Sequence, residues 1–367
     1  MRKGGIVLIK NDLIWLYLHN SQGVNISNFS KIYFKYKDIN LLIDAIKNDE
    51  ISLPISVKNE ILSDSWNEKV SGLLDYLDKR NIKVTFYHWD NYPKKLKNIE
   101  FPPPILYYIG DYSLTETNNV AIIGSRKYSS YGKQCTEYFS KTFVNNDICV
   151  VSGMAEGIDA CAHFTALNNS GKTIAVLASG VDYIYPTSNT QLYNEICEKG
   201  LVISEFPVSV RPQKPFFPYR NRLIVGLSDC LVVTEAGLPS GTMTTVDHAL
   251  EQNKNVYAVP GSINSELSAG TNFLIKSGCI CAVDPFDILS EFNICRSDKL
   301  AGVIPEDEDL DDLQKDILKL LSVEALSTYQ LEEALSIDAA SLNVALVMLE
   351  ICGYIEKDAG ANYYLKR

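Results

Sequence analysis

Four short glycine-bearing turns hold the residues of this chain best suited to chemistry. They are Gly124-Ser125-Arg126, Ser152-Gly153-Met154-Ala155-Glu156-Gly157, Ser240-Gly241-Thr242 and Pro260-Gly261-Ser262. Glycine lets backbone approach a ligand closely, and a turn that opens a helix presents unpaired N–H groups, natural partners of a phosphate. Arg126 and the triplet Arg220-Asn221-Arg222 add guanidinium groups, whose planar fork matches phosphate oxygens. The triplet follows Phe216-Phe217-Pro218-Tyr219, so cations and ring faces lie side by side. That mixture holds single-stranded nucleic acid, with stacking contributing about 1–3 kcal/mol per base. One of Arg220 and Arg222 is expected to pair with a core carboxylate such as Glu205 or Glu235, and the other to reach the ligand.

These turns can act together only if one scaffold brings them to one edge. Val120–Ile123, Ile148–Val151, Thr173–Leu177, Leu201–Ile203, Leu231–Thr234 and Val256–Val259 are short apolar runs, and helical patterns separate several of them. Apolar runs of this length alternating with helices predict an α/β, doubly wound, mostly parallel sheet of Rossmann-like type. Ligands of such sheets bind outside the carboxyl ends of the strands, where these turns would lie. The serines before residue 130 suit the cap of a helix over 129–144, and Asp159 that of a helix over 159–168. His163 is expected to pack rather than react.

Residues 1–70 mix apolar and polar positions at helical spacing and predict a small N-terminal helical domain. The core is expected over 71–295. An acidic linker, 296–312, contains Pro305-Glu306-Asp307-Glu308-Asp309. Three helical stretches and a β-ribbon over 313–367 follow the winged-helix order. Its third helix, from Ala339, has no lysine or arginine, whereas major-groove readers need cations and donors there. A protein-contact or structural role is expected for it.

The 367 residues carry a formal charge of −11, distributed as +3 over 1–110, −5 over 111–290 and −9 over 291–367. A nonspecific basic coat is excluded, but a local basic groove is not. The apolar run Ile6–Ile9 stops at Lys10, too short for a signal core or a membrane span, so a cytoplasmic protein without membrane insertion is expected. Nine cysteines without paired spacing fit a reducing compartment, and four scattered histidines predict no metal site.

Read in order, several segments resemble the DNA-processing protein A (DprA/Smf) family. They include Ala121–Arg126, Ser152–Asp159 with Ala162-His163, Tyr185-Pro186, Ser204–Pro207, Phe217–Arg222, Ser240–Thr242 and Gly270–Ile275. The likeness is strong over about 105–290 and weaker toward both ends. It implies a Rossmann-like core that binds and protects single-stranded DNA, helps load the recombinase RecA in natural transformation, self-associates as a dimer through the core, and uses no catalysis or cofactor. Where many relatives place a DNA-contacting lysine after Tyr185-Pro186, this chain has Thr187, which offers a hydroxyl without charge. The N-terminal turn Gln22-Gly23-Val24-Asn25 lacks the second glycine of a helix-hairpin-helix.

The expected DNA-binding set is therefore Gly124, Ser125, Arg126, Ser152, Gly153, Gly157, Thr187, Asn189, Arg220, Asn221, Arg222, Ser240, Gly241 and Thr242, with bases stacked on Phe216, Phe217 or Tyr219. A different class of function uses the same loops for a mononucleotide. Glu235 with Ser240-Gly241-Thr242 resembles the turn of nucleotide phosphoribohydrolases, but those follow it with glutamates where this chain has Met243-Thr244-Thr245. Without an acid–base carboxylate there, hydrolysis loses its means.

Overall fold

Each apolar run becomes a strand buried on both faces. The computed structural model describes every residue except 1, 4, 5, 37, 239, 295–309, 322–325, 336, 358–361, 366 and 367; for 2, 3, 6, 7 and 365 it describes the backbone alone. Residues 1–293 form one compact unit and 294–367 another.

In chain order, the first unit opens with β1 (Arg2–Lys3) and β2 (Ile6–Val7), then five helices: α1 (Lys10–Asn20), α2 (Ile26–Lys35), α3 (Ile39–Lys47), α4 (Ile55–Leu62) and α5 (Trp66–Lys79). There follow β3 (Lys83–Phe86), α6 (Lys94–Lys97), β4 (Ile105–Gly110), β5 (Asn119–Gly124), α7 (Ser130–Val144), β6 (Cys149–Ser152), α8 (Ile158–Asn168), β7 (Thr173–Val176) and α9 (Thr190–Lys199). The unit closes with β8 (Leu201–Ser204), α10 (Phe216–Leu227), β9 (Cys230–Glu235), α11 (Thr242–Glu251), β10 (Val256–Ala258), α12 (Ala269–Lys276), β11 (Ile280–Cys281) and α13 (Pro285–Leu289).

Nine strands make one sheet in the order β11-β10-β9-β5-β6-β7-β8-β4-β3. From β11 to β8 all neighbours are parallel; β4 joins β8 antiparallel, and β3 joins β4 antiparallel. The chain thus steps outward from β5 to β8, then returns to place β9 on the other side of β5. Alternate side chains supply the two cores. Ala175 and Val202 face one with α8, α9 and the N-terminal helices; Ile174, Val176 and Ile203 face the other with α10, α11 and α12. The predicted doubly wound sheet is present, and its strand ends bring the glycine turns to one edge.

The cap expected at the start of the 129–144 helix is present, and a second one precedes α2. Ser129 accepts from the Gly132 N–H and caps α7, and Asn25 caps α2 through the Asn28 N–H. Asp159 does otherwise. It lies in the first turn of α8, and its Oδ2 accepts from the N–H groups of Gly153 (3.1 Å) and Ala155 (3.4 Å), bracing the preceding loop instead of capping the helix.

Two imidazoles lie wholly inside this unit. His163 Nδ1 is 2.6 Å from Thr173 Oγ1, and His19 Nδ1 is 3.0 Å from the Tyr107 hydroxyl. Burial lowers the pKa of each to about 3. Unfolded histidines take a proton near pH 6.5 (about the free value), so both contributions are complete above that pH and are lost as pH falls toward 3. Urea midpoints should therefore drop steadily from about pH 6 to about pH 4.5, with each proton worth roughly 1.4 kcal/mol per pH unit. Replacing either histidine with asparagine should flatten the slope; a profile already flat in the parent would refute the neutral burial of both rings.

The second unit contains α14 (Asp312–Leu321), β12 (Leu326–Ser327), α15 (Thr328–Leu335), α16 (Ala339–Ile351), β13 (Ile355–Lys357) and β14 (Asn362–Leu365), with strand order β12-β14-β13. It is a winged helix. Leu342, Leu346 and Leu349 are buried in its core, as their spacing predicts. Val344, Val347, Met348 and Ile351 project from α16 into solvent. The expected linker lies outside the described residues except for 310–312.

Candidate nucleic-acid interface

The loops after β5, β6 and β7 meet over the middle of the sheet and enclose a cleft with the start of α10. Arg126, Gly153, Glu156, Tyr185, Phe217 and Arg220 are among the residues that line it. The loops are locked by contacts that only glycine permits. Gly157 has φ +89°, and a Cβ there would stand 2.6 Å from Arg126 Cα and closer still to the Ser125 carbonyl. At Gly153 a Cβ would lie 2.6 Å from Arg220 Nη2 and 2.9 Å from Asp159 Oδ2. The missing side chain there lets an arginine and an aspartate approach from opposite sides.

Arg126 is exposed at the rim, with its guanidinium 5.6 Å from the Phe217 ring centre. The Tyr185 ring is tilted against Phe217 at 5.7 Å. A cation, a half-buried ring and an exposed ring therefore stand in a row along one lip. Arg220 forms the floor and is only 4% exposed. Its Nη1 donates to the carbonyls of Gly153 (2.9 Å) and Val176, and its Nε to Asn221 Oδ1 (3.1 Å). Desolvation lowers its pKa to about 10, Asp159 opposes that shift, and Arg126 adds to it. At neutral pH Arg220 remains a cation beneath the cleft. The same burial raises the Asp159 carboxyl, with Arg220 pulling it back.

Arg222 is the member of the pair bound to a carboxylate. It is 4% exposed, and its Nη1 and Nη2 reach Glu205 Oε1 and Oε2 at 2.5 and 2.6 Å. Its Nε donates to the Phe101 carbonyl, and the Tyr219 ring lies 4.0 Å beneath the guanidinium. Every face of Arg222 is occupied by protein, which corrects its place among the ligand-facing residues. Tyr219 is committed to it, and Phe216 packs on Phe206 at 4.5 Å. Of the three rings expected to stack on bases, Phe217 alone lines the cleft.

Other expected residues also turn inward. The Ser152 hydroxyl donates to the Ile122 carbonyl (2.6 Å), tying β6 to β5. Asn189 Nδ2 donates to Met154 O (2.9 Å) and Ala155 O (3.4 Å), so it holds the β6 loop in place instead of facing a ligand. Gly124 sits against the Glu235 carbonyl and Ile158, while Ser125 N donates to Glu235 O (2.7 Å). Thr187 is exposed at the start of a short turn, where its carbonyl accepts from Thr190 Oγ1. Ser240, Gly241 and Thr242 open α11; the Ser240 hydroxyl donates to Thr242 Oγ1 and accepts from the Thr242 N–H. That turn does not line the cleft. In the sequence Tyr185 stands out only within the Tyr185-Pro186 motif, and its exposure beside Phe217 is what marks it as a ring surface.

Nucleotides in doubly wound folds occupy the crevice where strand order reverses, here between β5 and β9. That place is filled. The Glu235 carboxylate accepts from the Ser129 N–H (2.8 Å) and hydroxyl (2.5 Å), so a protein anion occupies the start of α7 where a phosphate would bind. The open cleft lies to one side, over β5 to β7.

Comparison with known proteins agrees with this architecture. The DNA recombination-mediator protein A family matches residues 83–293, and the DprA winged helix domain matches 305–361. Protein Smf of Synechocystis is 32% identical over 74% of this chain and 77% of its own length. DNA processing protein DprA of Bacillus subtilis is 34% identical over 69% and 86%. The X-ray structure of DNA processing protein A from Streptococcus pneumoniae aligns with a TM-score of 0.66 at 31% identity, covering 78% of this chain and 99% of that one. A structure of DNA processing protein A from Helicobacter pylori, described for its single-stranded DNA binding mode, aligns at 0.53 and 33% identity over 58% and 95%. With more than half of its length matched, the chain belongs to the DNA recombination-mediator protein A (DprA/Smf) family.

Proposed function

We propose that this protein binds single-stranded DNA in the cleft above β5 to β7 as a non-catalytic DNA-processing factor. The observation that carries the reading is the lip formed by Arg126, Phe217 and Tyr185 over the buried cation of Arg220. Arg126 takes a phosphate, the rings take base faces, and the Gly153–Gly157 loop lets the strand approach backbone closely. The exposed Thr187 offers a neutral hydroxyl along the same edge. Relatives described as DNA processing proteins, and one described as binding single-stranded DNA, support this choice of ligand.

Hand-over of the strand to a recombinase of the RecA type, a cytoplasmic location and dimerisation through the core complete the proposal. The exposed apolar stripe of α16 suits a protein contact better than a duplex, since that helix carries no cation. The mononucleotide-hydrolase reading fares worse. Glu235 is engaged with Ser129, and the turn that opens α11 brings no second carboxylate.

Fluorescence anisotropy with a labelled oligothymidylate tests the cleft. The parent should lose affinity with salt, with a log–log slope near −0.7 per phosphate contacted. Arg126→Ala should weaken binding about tenfold and reduce that slope by roughly one contact. Parent-like affinity and slope in this variant would remove the cleft as the binding site.

A further inference from the structure

Glu156 lines both the cleft and a second groove, which runs from Gly157 between the start of α7 and the outer face of α8. Tyr128, Lys133, Glu137, Phe164 and Ser188 also border this groove. Two of its rings are unusually open: Tyr128 is 42% exposed and Phe164 39%. Nothing in the cleft described above uses them.

The charges in the groove are not those of a phosphate site. Its single lysine, Lys133, is 3.6 Å from Glu137, and Glu156 accepts from the Ser188 hydroxyl at 2.8 Å. Two carboxylates against one cation repel a sugar-phosphate backbone but accept N–H donors. Base edges provide such donors: cytosine presents an exocyclic amino group where thymine presents a carbonyl. Ring faces on Tyr128 and Phe164 provide the stacking surface. The groove adjoins the cleft: Glu156 lines both, and Gly157 in the groove packs against the backbone of Arg126.

We propose that a single strand leaving Arg126 passes over Gly157 and turns its bases into this groove, with its phosphates outward. The rings stack on those bases, and Glu137 and Glu156 select amino-bearing ones. The inference rests on the reading of the cleft as a single-strand site. It adds a direction for the strand and a base preference that the cleft alone does not supply.

The test compares two lengths and two compositions by anisotropy on the full chain. One pair of oligonucleotides is about 4 nucleotides long and fills the cleft; the other is about 16 and reaches the groove. Phe164→Ala and Tyr128→Ala should each weaken the longer oligomers about tenfold and leave the shorter ones unchanged. Both side chains are half open to solvent, and thermal melts verify that each variant is folded. Oligodeoxycytidylate of the longer length should bind about threefold more tightly than oligothymidylate, with no preference at the shorter length.

The groove is overturned if both ring variants bind the longer oligomers like the parent, or if the longer oligothymidylate binds as tightly as oligodeoxycytidylate, while Arg126→Ala still weakens both lengths. In that case the cleft reading stands. Arg126→Ala without effect at either length would bring down the cleft and the groove together.

Discussion

Replacing Arg222 with alanine should cost about 3–5 kcal/mol of stability while leaving oligonucleotide affinity per folded molecule unchanged. The cost follows from what remains behind. Glu205 is buried, and its two oxygens are held by the two terminal nitrogens of Arg222. Truncation strands a carboxylate in the core, strips a partner from the Phe101 carbonyl and leaves the Tyr219 ring without its cation. A paired replacement, Arg222→Met with Glu205→Met, removes both charges and keeps volume, and should recover most of the loss. Urea denaturation measures the first quantity and anisotropy on the folded fraction the second. A stable Arg222→Ala protein that no longer binds DNA would put this guanidinium back at the ligand.

Arg222 also marks the limit of what sequence can reveal. Its triplet announced that one arginine would be structural, but the choice depends on where Glu205 emerges from β8, a tertiary fact. The strands were legible because burial on both faces of a parallel sheet demands continuous apolar runs. The Ser129 cap was legible because its physics is local. Helix α10 was not, since Pro215 and Pro218 at its start disguise a helix that carries the two arginines. The inward turns of Ser152 and Asn189 were hidden for another reason. Each side chain bonds to backbone of a different segment, Ile122 in β5 or Met154 in the loop after β6, and no spacing along the chain encodes that meeting. By sequence Glu235 is a candidate partner for arginine or a candidate catalytic group. It instead occupies the switch-point crevice, because β9 pairs directly with β5 and delivers it to the start of α7.

The opposite case is Gly157→Ala, where the backbone alone dictates a large effect. Gly157 precedes α8 with φ +89° and ψ −131°, a region that is nearly exclusive to glycine and costs other residues about 1–3 kcal/mol. Its absent Cβ leaves the room in which Ser125 and Arg126 sit, and those atoms are backbone that cannot rotate away. Overpacking against such a wall costs roughly 1–3 kcal/mol more. The sum, about 2–6 kcal/mol, is relieved only by pushing the β5 loop outward, which moves Arg126 away from Phe217. Affinity should therefore fall about tenfold even in the folded fraction, as it does for loss of the arginine itself. Gly241→Ala is the control. That residue has φ −63°, with open space around a Cβ, so alanine should be neutral or stabilise by about 0.4–1 kcal/mol. Equal melting temperatures for the two alanine variants would mean that the β5 and β6 loops do not touch, and a cleft built on their contact would have no wall.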